Sequence, residues 1–302
     1  MLKLVHHNEI DKQKWDRCIY YAFNSKVYAY SWYLDVVAPE WSALVWKDYY
    51  AVMPLFLQKK WGITYCSQPH FTQQLGIFTP MLLSPELINI FIHELKNVAK
   101  LSQINLNQNN LFKTKTQGIS LKLNHELDLI LPHEQLYKNY SKNTKRNIKK
   151  AQNKRISVLK TQKPEPVIEL FRANKGQEVK HWKEAEYNML KRLIYRALQL
   201  NQVEIWCAYT EDNNLCAGAF FLRNHRRHVF LFSGANQTAK DTGAMSYLID
   251  TYIKTHCEEA RILDFEGSQN PNLARFYRSF GAQAIHYPHL EINRLPWYIS
   301  IP

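Results

Sequence analysis

The stretch from Arg226 to Ala282 constrains the fold more than any other part of this sequence. It reads RRHVFLFSGAN, then TAKDTGAMSYLIDTYI, then RILDFEGS and finally PNLARFYRSFGA. The first and third pieces are short apolar and aromatic runs typical of strands, whereas the second and fourth carry apolar residues at helical spacing. The sequence therefore predicts strand, helix, strand and helix, with the helices over 243–259 and 270–280.

The same kind of pattern fills the rest of the chain. Helices, a meander of strands and a helix–strand alternation precede residue 132, and a second series begins with a helix predicted over 134–153. A chain of 302 residues also exceeds the usual size of a single hydrophobic core. We therefore expect an α/β protein with two domains, residues 1–132 and 133–302.

A basic run, KNYSKNTKRNIKKAQNKR, occupies residues 138–155 and holds eight basic residues and no acidic one. On a helix most of the cations share one broad face, and like charges at that spacing destabilise a helix by a few tenths of a kcal/mol per pair, roughly. The run therefore predicts either a phosphate-binding face or an ordinary solvated helix. The candidate phosphate-binding residues are Lys142, Lys145, Arg146, Lys149 and Lys150, and the docking side would hold Tyr137, Tyr140, Thr144 and Ile148.

A second candidate for phosphate binding is the segment between the strand RRHVFLFSGAN and the following helix. A strand that passes through a glycine-bearing loop into a helix offers backbone N–H groups and the positive helix end to a phosphate or pyrophosphate. Lys240, Gly243 and Ala244 would form this loop. Glycine at a helix start is also common without any ligand.

Three side chains near the end of the chain are candidates for proton transfer. Asp264 and Glu266 close the strand RILDFEG on alternate residues, so they should point to one side, and either could hold or deprotonate an amine. Tyr277 lies on the apolar side of the last helix, where its hydroxyl could protonate a leaving group or its ring could simply fill the core. A surface role for either carboxylate is the alternative.

Composition excludes several classes of protein. The five cysteines are irregularly spaced and odd in number, which favours reduced core residues, and no metal-ligand spacing occurs among the histidines. No apolar stretch of about 18 residues and no apolar leader is present, so we expect a cytoplasmic protein without a membrane span. The net charge of +13 favours polyanionic partners.

Two segments together resemble a known family. The strand, the segment Lys240–Met245 and the following helix resemble the coenzyme A pyrophosphate region of the GNAT acyltransferase fold. The helix that holds Asn272, Ala274, Phe276, Tyr277, Gly281 and Ala282 resembles a later GNAT motif. Residues 140–151 (YSKNTKRNIKKA) and 264–282 (DFEGSQNPNLARFYRSFGA) are similar to the FemAB group of double-GNAT enzymes, which transfer amino acids from aminoacyl-tRNA to a peptidoglycan precursor.

This resemblance implies tandem GNAT-like domains, each a mixed, mostly antiparallel sheet flanked by helices, with the donor-site motifs in the second. It implies transfer of an acyl or aminoacyl group onto an amine, with no tightly bound cofactor, in a bacterial cell. The donor would be an aminoacyl-tRNA or an acyl-coenzyme A, and the acceptor a peptidoglycan precursor at the membrane surface. The chain departs from the family pattern by a lysine at position 240, a methionine at position 245 and the lack of a long helical hairpin.

Three hypotheses remain open at this point. The first is aminoacyl transfer from tRNA, with the basic helix binding phosphates and backbone N–H groups before Gly243 stabilising the oxyanion. The second keeps the fold and makes an acyl-coenzyme A the donor. The third is a non-catalytic, basic RNA-binding protein. A lipid-surface role ranks lower, because no basic amphipathic helix also carries an apolar face with tryptophan anchors.

Overall fold

The computed structural model describes residues 1–112, 116–179 and 182–296. The strands are β1 Leu2–Val5, β2 Ser42–Trp46, β3 Ala51–Lys60, β4 Ile63–Ser67, β5 Leu101–Asn105, β6 Ile119–Asp128, β7 Ser157–Thr161, β8 Val203–Tyr209, β9 Leu215–Arg223, β10 Arg227–Ala235, β11 Ile262–Asp264 and β12 Gln283–Asn293. The α-helices are α1 Lys12–Tyr21, α2 Ser31–Val37, α3 Pro85–Val98, α4 His133–Lys138, α5 Lys142–Asn153, α6 Glu165–Ala173, α7 Glu184–Gln199, α8 Gln237–Thr242, α9 Ala244–His256 and α10 Pro271–Arg278. In these described parts, no helix combines the length and apolar character needed to cross a bilayer.

The chain divides into two compact units, one formed by residues 1–123 with the chain from Ile285 onward, the other by Asn124–Ala284. In the first unit the strand order is β1-β2-β3-β4-β5-β12. The first four strands are an antiparallel meander, β5 lies parallel to β4, and β12 lies antiparallel to β5. Helix α3 supplies Phe91 and Leu95 to the core of this sheet.

The sheet of the second unit repeats this plan. Its order is β7-β8-β9-β10-β11, and the last three residues of β6 pair with β11. The meander is again antiparallel, β11 lies parallel to β10, and the sixth strand is antiparallel. The predicted fold class, two mixed and mostly antiparallel sheets flanked by helices, is confirmed.

The sixth strand of each sheet is not the strand that follows the other five along the chain. β6 comes directly after the five strands of the first unit but pairs with β11, and β12 comes after the five strands of the second unit but pairs with β5. The predicted division at residue 132 assigns β12 to the second domain, whereas the contacts place Ile285 onward in the first unit. A pattern of strands and helices gives the order of elements but not the partner of the last strand.

The helix predicted over 134–153 is wrong in one respect, because the structure contains two helices with a break between them. Helix α4 ends at Lys138, and α5 begins at Lys142. The Ser141 hydroxyl accepts a hydrogen bond from the Thr144 amide, and the Ser141 amide donates to the Ser279 carbonyl. A serine N-cap of this kind starts a new helix and is worth about 1 kcal/mol.

Candidate functional site

Two neighbouring strands of the second unit, β10 and β11, separate where the site predicted from sequence lies. β10 and β11 pair only over Arg227–Val229 and Ile262–Asp264, and β10 continues to Ala235 beyond the end of β11. The rings of Phe230, Phe265 and Tyr277 lie beside this separation, with ring centroids 5.0 Å apart for Phe265 and Tyr277 and 6.0 Å apart for Phe230 and Tyr277. The edge of β10 beyond Val229 is therefore not paired with β11.

Asp264 is placed in a buried polar network. Its side chain is completely buried, and its Oδ1 atom accepts hydrogen bonds from the Asn124 side chain at 2.8 Å and from the Glu266 amide at 3.2 Å. The Arg227 guanidinium lies 3.6 Å from Oδ2 and 2.6 Å from Glu126. Buried charges survive in proteins when they are paired and hydrogen-bonded in this way. The geometry gives Asp264 the task of fixing the end of β11.

Glu266 does not share a strand face with Asp264, so the prediction that both point to one side of a strand is wrong. β11 ends at Asp264, and Glu266 and Gly267 both adopt left-handed backbone conformations, with φ of 51° and 55°. The Ser268 hydroxyl, 2.9 Å from the ring of His125, donates to the Glu266 carbonyl. A left-handed backbone conformation at a glutamate costs of order 1–3 kcal/mol of folding free energy, which the surrounding contacts must offset. Residues with such backbone strain are found most often at functional sites.

The Tyr277 hydroxyl lies at this strained turn. It is 3.6 Å from the place that a Cβ atom on Gly267 would occupy, and no hydrogen bond reaches it from the residues described. Burial of the ring, together with the negative charge of Glu266, raises the pKa of Tyr277 above its ordinary value. Tyr277 therefore stays protonated at neutral pH and can donate a proton or a hydrogen bond. Glu266 and Tyr277 are brought together, whereas the Asp264 carboxylate is occupied by the Asn124 side chain and the Glu266 amide.

The segment Lys240–Ala244 is not the loop that the sequence predicted. Lys240 is an exposed residue of the short helix α8, which is capped by Asn236, and Gly243 joins α8 directly to α9 with φ of 79°. A Cβ atom at Gly243 would lie 2.5 Å from the Asn147 carbonyl oxygen. The backbone of α5 therefore covers the start of α9, and Ala244 is completely buried.

The basic run folds as predicted on its inner side. Thr144 and Ile148 of α5 are buried, as is Tyr140 just before the helix. Lys145 lies over the Tyr137 ring and donates to the Lys138 carbonyl, so it is partly held by its neighbours. The remaining candidates are exposed, and none of them pairs with a carboxylate among the described residues: Lys142, Arg146, Lys149 and Lys150.

A cavity of about 680 Å³ opens beside this helix, between α5, the first turn of α9 and α10. Two arginines of α10, Arg275 and Arg278, line it, and both are exposed without an ion pair in the described structure. No carboxylate occurs in the lining, whose other residues are Ser141, Asn143, Thr144, Asn147, Ser246, Asn272, Phe276 and Ser279. A cavity lined by arginines and by amide and hydroxyl groups suits phosphate oxygens.

Sequence reasoning missed these two arginines. They stand three residues apart on a short helix, which places them on one face, and this spacing was a usable signal. A second cavity of about 170 Å³ adjoins the first, sharing Asn147, Ser246 and Phe276, and it contains Lys240 and Gly243. Of the predicted phosphate-binding residues, Lys240 and Gly243 line the smaller cavity, whereas the five cations of the basic run line neither cavity, and neither does Tyr277.

A separate buried cluster joins His228, His256 and Glu259, whose ligand-type atoms lie within 4.8 Å of one another. The Arg261 guanidinium is 3.1 Å from Nε2 of His228 and 2.8 Å from Glu259, so it occupies the position that a metal cation would need. Burial and the neighbouring charges of His256 and Arg261 lower the pKa of His228 to about 3. A neutral imidazole that accepts from arginine and contacts the Tyr252 hydroxyl at 2.8 Å fits a structural network.

Comparison with known proteins finds a domain match that covers less than half of the chain. Residues 138–271 match the acetyltransferase (GNAT) domain. The fold is similar to that of FemX, with a TM-score of 0.66 and 11% identity, covering 95% of this chain and 97% of FemX. The C-terminal domain of a proposed lysylphosphatidylglycerol synthetase from Agrobacterium fabrum gives a TM-score of 0.56 at 8% identity, covering 94% of this chain and 92% of that domain.

A third structure, L-PGS from Bacillus licheniformis, gives a TM-score of 0.51 at 10% identity and covers 85% of both chains. No curated protein sequence gives a significant match. At these identities the structural likeness concerns the fold alone, whereas the domain match covers the segment that holds α5, β10, α9 and β11.

Proposed function

Since the chain is an acyltransferase of the GNAT superfamily with a FemAB-like, double-GNAT fold, we propose that it transfers an aminoacyl group from aminoacyl-tRNA onto an amine. The observation that carries this proposal is the position of the cations. Arg275 and Arg278 line a cavity without carboxylates, and the helix α5, which contributes Asn143, Thr144 and Asn147 to the same lining, carries further exposed cations outside it. A long polyanion such as tRNA would neutralise this whole surface.

The start of α9 supports the same choice of donor. In the GNAT resemblance, this helix end is the place for the pyrophosphate of coenzyme A. Here the carbonyl oxygen of Asn147 would be 2.5 Å from a Cβ atom at Gly243, and the adjoining cavity has only about 170 Å³. Ligand cavities usually have about 300–1,000 Å³, and a carbonyl oxygen repels a phosphate. We expect the phosphates of the donor to bind instead at Arg275, Arg278 and α5.

The reaction would take place where β10 and β11 separate. The amine nitrogen forms a bond to the ester carbonyl carbon, the carbon–oxygen bond to the tRNA ribose breaks, and the amine loses a proton. In this proposal Glu266 accepts this proton and Tyr277 donates one to the departing ribose oxygen. A proton then returns from Glu266 to Tyr277, so charge and protons balance and both groups regain their starting states. Backbone N–H groups of β10 beyond Val229 would stabilise the oxyanion. Asp264 acts as a positioning residue that fixes the turn carrying Glu266.

The acceptor proposed is an amine on a cell-wall precursor. The basis for it is the similarity of residues 140–151 and 264–282 to the FemAB group, together with the FemX-like fold. The identity of the acceptor is tested last, because a primary amine of any origin would reveal whether the aminoacyl group is transferred.

The first experiment measures tRNA affinity against salt concentration. Each phosphate contact contributes about 0.7–0.9 to the slope of log affinity against log salt. The double variant Arg275→Gln/Arg278→Gln should therefore lower this slope by roughly 1.4–1.8. The control Lys163→Gln/Arg192→Gln removes two exposed cations that line neither cavity and should leave the slope unchanged. An equal slope for all three proteins would contradict the proposal.

The second experiment distinguishes the two donors. Labelled aminoacyl-tRNA and labelled acetyl-coenzyme A are each offered with a panel of primary amines. Transfer from aminoacyl-tRNA that falls in Arg275→Gln/Arg278→Gln supports the proposal. Saturable binding of acetyl-coenzyme A together with transfer of its acetyl group would overturn it in favour of the acyl-coenzyme A hypothesis, which the GNAT domain match also supports.

A further inference from the structure

A tryptophan stands exposed at the tip of the hairpin between β3 and β4. Trp61 is 73% exposed and is the only tryptophan among the described residues that is an exposed large apolar side chain. A Cβ atom on the next residue, Gly62, would meet nothing within 4 Å, so the tip projects into open space. Such a ring is costly to leave in water, because a tryptophan presents about 150–250 Å² of mostly apolar surface.

Basic residues surround this tip. Lys59 and Lys60 precede it, and the Lys60 ammonium lies 4.9 Å from the centre of the Trp61 ring. Three further cations converge on the same edge of the first unit through backbone contacts. The Lys100 amide donates to the Thr64 carbonyl, and Arg294 donates to the carbonyls of Lys100 and Lys96.

None of the five cations, Lys59, Lys60, Lys96, Lys100 and Arg294, forms an ion pair with a carboxylate in the part of the chain that the structure describes. We call this set, together with Trp61, the hairpin patch. A ring at a projecting turn, flanked by cations, matches the chemistry of a membrane interface. Tryptophan prefers the headgroup level of a bilayer, and each basic residue near an anionic surface is attracted to it.

We propose that the hairpin patch docks the protein on a lipid surface that carries anionic headgroups. Trp61 would insert among the headgroups while the five cations contact lipid phosphates. A nucleic acid would also attract cations, but stacking of successive bases requires several rings along a groove, whereas the patch offers one ring on a projecting tip. The inference does not depend on the donor proposed above.

The test is partition of the intact protein onto sucrose-loaded vesicles, one set of phosphatidylcholine and one with about one third anionic phosphatidylglycerol. Wild-type protein should bind the anionic vesicles more strongly. Lys59→Gln/Lys60→Gln should lower the partition coefficient by about fivefold for each lysine. Trp61→Asn should lower it roughly tenfold, the value for burial of about a third of the indole surface. Asparagine suits this position, since Trp61 has a left-handed φ of 49°.

Two controls make the result decisive. The basic helix α5 also attracts anionic vesicles, so the Trp61→Asn comparison is repeated at high salt, where charge attraction is screened and the ring contribution remains. Lys163→Gln/Arg192→Gln should partition like wild type. Every variant should keep the wild-type thermal midpoint, because the altered side chains are exposed or, at Lys60, only partly buried. Equal partition of Trp61→Asn and wild type at high salt would overturn the proposal. So would hairpin variants that lose tRNA affinity and keep vesicle binding.

Discussion

The close approach of α5 to the start of α9 gives a stability prediction whose size follows from the structure. Alanine at position 243 must adopt a φ of 79°, which costs an L-residue about 1–2 kcal/mol. Its Cβ atom would lie 2.5 Å from the Asn147 carbonyl oxygen, so the two helices must move apart by several tenths of an ångström. Overpacking of this kind costs about 1–3 kcal/mol. We therefore expect Gly243→Ala to lower the free energy of unfolding by about 2–5 kcal/mol.

The matched control is Gly267→Ala in the same unit. Gly267 also has a left-handed φ, of 55°, but its Cβ atom would meet neighbours only at 3.6 Å or more, which is ordinary contact. This variant should therefore show the backbone cost alone, about 1–2 kcal/mol. Urea denaturation at constant pH measures both. Equal destabilisation by the two substitutions would refute the idea that α5 lies tightly against α9, and with it the argument that α5 excludes a pyrophosphate from this helix end.

Four further outcomes follow from the contacts described. Tyr277→Phe should lower the rate of transfer by about 10²–10⁴-fold in single-turnover assays while donor affinity stays within about twofold, because only the proton donor is lost. Ser141→Ala should lower the free energy of unfolding by about 1 kcal/mol in urea, since it removes the cap of α5. His228 has its folded pKa lowered to about 3, below the unfolded value, so its contribution to stability is full above about pH 6.5 and declines as the pH falls toward 3. Urea denaturation at a series of pH values should therefore show that the free energy of unfolding of His228→Gln changes less between these two pH values than that of the wild type. Of the five cysteines, all within the described residues, only Cys257 is not buried, so a thiol reagent should label it alone until denaturant is added.

The order of elements and the fold class were predictable because they depend on local patterns. Ser84 caps α3 and Pro85 begins it, a combination of neighbouring residues typical of helix starts, and apolar spacing located the inner side of α5. The break before Ser141 was not predictable in the same way. It depends on a hydrogen bond from the Ser141 amide to the Ser279 carbonyl, far along the chain, and helical spacing carries no trace of such a contact.

The candidate site was predictable only in part for a similar reason. Sequence reasoning selected Asp264, Glu266 and Tyr277, and the structure unites only the last two, because Asn124 and Arg227 engage Asp264 from other strands. It found the lysines of α5 from their density, yet overlooked Arg275 and Arg278, whose significance appears only when α10 is seen to border the cavity. The exposure of Trp61 is likewise a property of the hairpin tip that the residue type alone does not give.

The exchanged sixth strands have a consequence for the order in which the protein is made. A ribosome releases β1 to β5 first, but β12, which completes their sheet by pairing with β5, leaves the exit tunnel only after the entire second unit. The second unit, in contrast, receives its own sixth strand in advance, because the end of β6 is synthesised before β7 to β11. During synthesis the nascent chain therefore carries an open edge at β5, a strand edge of the kind that invites mispairing and that chaperones bind. The half that is translated first is thus the half that matures last.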